Sequence, residues 1–148
     1  MKTLLITLIA VFGAFQIEAQ DLDLNTQKGF VAEGYDVTSY FKNKAIKGSN
    51  DYQTSYGGSN FKFSSKENLE KFIKDPEAYL PEYGGYCAYA IALKNKKVKI
   101  NPKTFEIRDN KLYLFYNAWG TNTLELWLEN DVKGLQEIAD KNWEAMNF

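Results

Sequence analysis

The alternation of apolar and polar positions changes period several times along this chain, and each change predicts an element. In "DYQTSYGGSNFKFSS", residues 51–65, Gly57-Gly58 separates two runs of aromatic, β-branched and polar residues, a pattern that predicts a β-hairpin with a glycine turn. From Ser64 the spacing becomes helical. Leu69, Phe72 and Ile73 recur on one face, which is expected to be buried, and Ser64 with Glu67 forms a capping-box signature. Asp75-Pro76 breaks that helix and starts a further turn, which Pro81 and Gly84-Gly85 end. "YCAYAIALK" predicts another short helix, with alanines at 88, 90 and 92 permitting close packing. "KVKI" reads as a strand, and "FEIRDNKLYLFYN" as a hairpin in which Phe105, Ile107, Leu112, Leu114 and Tyr116 alternate about Asp109-Asn110. From Thr123 on, Leu124, Trp127, Leu128, Val132, Leu135, Ile138, Ala139, Trp143 and Met146 keep helical spacing, with a break expected near Asn130-Asp131.

Earlier segments carry less pattern. Residues 20–29 are polar and read as a loose lead-in. In "GFVAEGYDVTSYFK", Phe30 to Ala32 suits a short strand, and Asp36 suits the cap of a short helix carrying Tyr40 and Phe41. The elements together predict a single α+β domain over residues 30–148, with β-hairpins, short central helices and a C-terminal amphipathic helix.

The first nineteen residues stand apart. Lys2 precedes an apolar run from Leu4 to Phe15, and small Ala19 stands before Gln20, which is the form of a secretory signal peptide over residues 1–19. The run is shorter than the ~20 residues that cross a bilayer. The expectation is an exported protein, periplasmic or secreted, whose mature chain has no membrane span. A net charge of −1 gives no reason to expect nucleic acid as a partner.

Composition then removes whole classes of chemistry. The chain has no histidine, which takes away the usual general base near neutral pH and the commonest metal ligand. Its one cysteine, Cys87, rules out an internal disulfide, a Cys/His zinc site and a Cys-His or Ser-His-Asp machine. Cys87 lies in "YLPEYGGYCAYA", beside Tyr83, Tyr86 and Tyr89 and just after Gly84-Gly85, near a helix start that favours a thiolate. Two readings stand side by side: a soft-metal ligand or reactive thiol, or a small buried hydrophobe in an alanine-rich helix. The tyrosines likewise suit either a ring-shaped ligand, or ferric iron held through a phenolate, or ordinary packing. The glycines suit backbone geometry, since no nucleotide signature follows them. The lysines of "LKNKKVK" suit a solvated loop and edge strand.

"FKFSSKENLEKFIKDPEAYL" resembles the core of YHS domains, in the spacing of Phe61, Phe63, Ser65, Phe72, Asp75, Pro76, Glu77 and Tyr79. "GYDVTSYF", "YGGYCAYA", "KLYLFYN" and the late "NW" resemble a longer exported bacterial branch of that family, so that the likeness runs over residues 30–145. The resemblance implies metal binding, because the short forms carry paired cysteines. Here Ser64 and Asn68 stand at those two positions, and Lys62 at the place of the histidine.

The resulting expectation is a non-enzymatic binding module for a metal ion or small molecule, held near Tyr35, Asp36, Tyr83, Tyr86 and Cys87. The metal, if any, and any cofactor are left unknown. The alternative is a structural or interaction domain of the cell envelope, with Cys87 packed or in an intermolecular disulfide. An enzyme working through Cys87, tyrosine or carboxylates ranks below both, because no catalytic constellation is recognisable.

Overall fold

The computed structural model describes residues 20–148; the predicted signal peptide lies outside the described residues. Strand pairing is local throughout. Thr26–Gln27 (β1) pairs antiparallel with Phe30–Val31 (β2), and Ser49–Tyr56 (β3) with Ser59–Phe63 (β4) across Gly57-Gly58. After helix α1, Lys66–Lys74, come 3₁₀ turns at Pro76–Tyr79 and Glu82–Gly85 and helix α2, Ala88–Lys94. Asn101–Arg108 (β5) and Lys111–Phe115 (β6) form the second long hairpin, and Asn117–Ala118 (β7) pairs with Thr121–Asn122 (β8). Helices α3, Thr123–Leu128, and α4, Val132–Met146, close the chain on either side of the expected break. The fold is α+β.

Strand β6 organises the core because both of its faces are covered. Leu112 and Leu114 point into one cluster with Val31, Val37, Tyr40, Phe61, Phe63, Phe72 and Cys87. Tyr113 and Phe115 point into a second with Ile91, Trp127, Leu135 and Ala139. A strand exposes alternate residues to opposite sides, so covering both sides buries four consecutive side chains. The sequence alternation singled out Leu112 and Leu114; Tyr113 and Phe115 are buried as well. Their face is closed by α2, α3 and α4, elements that lie far away in sequence.

Several expectations need correction. The cap of α1 is Ser65, whose hydroxyl accepts the Asn68 N–H at 3.2 Å, and not Ser64. Ile73 is 58% exposed, whereas Phe72 packs its ring 4.7 Å from Phe61 and 5.0 Å from Phe63. Leu128 and Ile138 of the C-terminal stripe are also exposed. "KVKI" forms no strand; β5 starts only at Asn101, although Val98 C=O accepts the Cys87 N–H. Residues 20–25 are fastened and not loose: Leu22 N–H donates to Gly57 C=O and Asn25 N–H to Gly84 C=O. Asn25 is buried, and its amide donates to Gly85 C=O at 3.0 Å.

Gly84 makes that docking possible. Its φ is +62°, and a Cβ built there would stand 2.1 Å from the Asp23 carbonyl oxygen and 2.9 Å from the Trp143 ring. Only a residue without a side chain lets the lead-in and α4 approach the turn so closely.

Candidate functional site

Asp36 is the most heavily engaged side chain among the described residues. It is fully buried, yet both carboxylate oxygens are saturated. One accepts the Thr38 N–H at 3.0 Å and the Thr38 hydroxyl at 2.7 Å. The other accepts the Ser64 N–H at 2.8 Å, the Ser64 hydroxyl at 2.7 Å and the Asn68 amide at 2.7 Å. Burial pushes the carboxyl up; the hydrogen bonds from Ser64, Thr38 and Asn68 outweigh it and hold Asp36 below its ordinary value. The Asp36 carbonyl also accepts the Ser39 N–H, which starts the 3₁₀ turn Ser39–Lys42. Contrary to expectation, Asp36 is not the cap of that turn, which is Thr38 and has no side-chain cap; its carboxylate instead fixes Thr38 ahead of the turn and ties it to Ser64 before α1, twenty-eight residues later.

Cys87 is fully buried in the first cluster and precedes α2. Its sulfur lies 3.3 Å from the Thr123 hydroxyl oxygen. Thr123 directs its own proton to the Tyr116 carbonyl at 2.8 Å, so the thiol donates to Thr123. Cys87 is a packed hydrophobe with a weak donor, not a thiol facing a cleft.

Tyr83 belongs to the second cluster and adopts φ +53°. Its hydroxyl donates to Asp140 at 2.9 Å, and its ring centre lies 5.9 Å from Tyr113 and 6.4 Å from Trp143. Tyr86 stacks 6.1 Å from Trp143 and donates to Asp23 at 3.4 Å. Burial raises both phenols, strongly for Tyr83, where the Asp140 carboxylate adds to the effect. Both hydroxyls are already committed to carboxylates, Tyr83 to Asp140 and Tyr86 to Asp23.

The predicted residues are thus divided among separate places. Tyr83 lines an open groove of about 650 Å³, with Trp143, Glu82 and Asp140. Tyr86 flanks the groove through Trp143. Tyr35 lines a different cleft, of about 430 Å³. Asp36 and Cys87 line neither and are closed inside the core. The residues that sequence reasoning missed are the groove carboxylates Glu82 and Asp140. Only the tertiary approach of α4 to the Glu82–Gly85 turn brings them together, so no local pattern announced them.

Residues 37–83 match the family model of the YHS domain. This chain contains a YHS domain. No curated protein and no solved structure matches it. The matched span takes in the β3–β4 hairpin, α1 and the turns up to Tyr83, so that Ser64 and Asn68 fall inside it. The metal that the YHS resemblance implied does not fit these residues. At the two positions where cysteines were expected, Ser64 and Asn68 spend their donors on Asp36. Among the described residues, no three Asp, Glu, Cys or His side chains are grouped so as to hold a metal ion. Within the matched span, a buried carboxylate and neutral donors join the Asp36 turn to the start of α1.

Proposed function

We propose that this YHS-domain chain is an exported, non-enzymatic binding module, periplasmic or secreted, that takes a small organic cation in the groove beside Tyr83. The observation that carries the reading is the pairing of rings and carboxylates in one concavity: Tyr83 and Trp143 supply apolar faces, Glu82 and Asp140 supply charge. Such a volume suits a small ligand, and aromatic faces attract cations as carboxylates do. Glu82 is raised by burial, and Asp140 adds to that while Lys111, 3.7 Å away, opposes it. Cation binding needs the ionised form, so affinity is expected to fall in mildly acidic buffer, from pH values above the ordinary glutamate value of 4.5.

The test is titration of residues 20–148 with tyramine and spermidine, followed by calorimetry and by chemical-shift mapping. Binding is expected to weaken at least ~10-fold in Trp143→Ala and to persist in Lys133→Ala. No saturable binding of either amine at millimolar concentration refutes the reading. Export is tested separately: N-terminal sequencing of the protein recovered from the cell envelope or medium is expected to begin at Gln20.

A further inference from the structure

The cleft that Tyr35 lines has the opposite charge. Four lysines, Lys28, Lys47, Lys99 and Lys103, stand around its 430 Å³, with the rings of Tyr35 and Tyr116. The one acid in its wall, Glu33, is engaged with Lys28 at 3.3 Å. Among the described residues, no carboxylate lies within ion-pairing distance of Lys47, Lys99 or Lys103, and neither phenol hydroxyl has a protein partner. The lysines come from three separate segments: Lys28 from the β1–β2 turn, Lys47 from the residue bridged to Tyr35, and Lys99 and Lys103 from the start of β5.

The backbone that carries them is held firmly. Tyr40 hydroxyl donates to Pro102 C=O at 2.6 Å, Asn101 amide to Asn117 C=O at 3.3 Å, and Asn117 amide to Thr104 at 3.1 Å. Gly48 N–H donates to Gly34 C=O at 2.8 Å beside Lys47. Three like charges kept around one concavity, without partners, repel one another at a cost to the free protein. A cleft lined by one sign of charge concentrates counter-ions of the other. Lysine meets an oxyanion as a mobile point charge, and the two free hydroxyls add neutral donors.

We propose that this cleft is a binding site for a small, multiply charged oxyanion, a phosphate or polycarboxylate compound free in solution. It shares no lining residue with the Tyr83 groove, so either site stands or falls alone. An anionic lipid headgroup presents the same chemistry, and Trp119, 94% exposed in the turn after Ala118 of the cleft wall, is the side chain a membrane surface would engage.

The experiment uses residues 20–148 and three probes: pyrophosphate, citrate and phosphatidylglycerol vesicles. Pyrophosphate or citrate is expected to bind one to one, shifting amides of residues 99–103 and 116–118, with affinity falling as salt screens the charges. Each of Lys47→Ala, Lys99→Ala and Lys103→Ala is expected to weaken binding about 3-fold or more, and the triple variant to abolish it. All three side chains are exposed, so the variants keep the fold; an unchanged urea midpoint at constant slope serves as the check. Failure of both anions to bind at millimolar concentration overturns the proposal. So does equal binding by the triple variant, or binding to vesicles alone with loss in Trp119→Ala.

Discussion

At the scale of single residues, Asp36 and Cys87 show how burial reverses a reading made from residue type. A carboxylate and a thiol near tyrosines suggest ligands. Here the carboxylate is consumed by five hydrogen bonds and the thiol by packing. Asp36→Ala leaves Thr38, Ser64 and Asn68 with donors turned into a dry space, and is expected to cost about 3–5 kcal/mol in denaturant unfolding. Ser64→Ala removes one hydroxyl from the network and is expected to cost about 1–3 kcal/mol. An Asp36→Ala protein as stable as the parent would show that the network is dispensable. For Cys87, a thiol-labelling reagent is expected to react only as fast as the core opens, and at full rate in denaturant. Rapid stoichiometric labelling of the native protein would mean that the sulfur is accessible.

At the scale of elements, local pattern was legible wherever a turn has its own chemistry. Gly57-Gly58 and Asp109-Asn110 all take positive φ, and both hairpins form where they were expected. Pattern misled where a neighbouring element took over a side chain. Ser64 carries a capping signature, yet Asp36 claims its hydroxyl, and the cap passes to Ser65. Ile73 has core spacing, but α1 turns its Phe72 face to β4, leaving Ile73 in solvent. Phe72→Ala is therefore expected to cost about 3–5 kcal/mol and Ile73→Ala less than about 1 kcal/mol, read from urea midpoints at constant slope. Equal effects would contradict the orientation of α1.

At the scale of the whole molecule, titration sets limits to stability on both sides. Asp36 has its folded value below 3.8, so its contribution is complete above pH 3.8 and is lost as pH falls through that lower value. Burial raises Tyr40 and Tyr83 above 10.0 in the folded state; negative neighbours add to this, and for Tyr83 the hydrogen bond to Asp140 does too. Their contribution is complete below pH 10 and is lost as pH climbs above it. Unfolding free energy measured across pH is expected to fall below 3.8 and again above 10, and Asp36→Asn is expected to flatten the acid limb. An unchanged acid limb in that variant would assign it to other carboxylates.

Composition alone excluded imidazole chemistry and an internal disulfide, because there is no histidine and no second cysteine to take part. Turn residues and period alone located the two long hairpins and the four helices, because those depend on neighbours within a few positions. Which charges meet was decided by the tertiary structure. Lysines from three segments converge on Tyr35, and acids from α4 and the Glu82–Gly85 turn converge on Tyr83, through long-range packing about β6. Electrostatic complementarity depends on distance in space, which no spacing along the chain encodes.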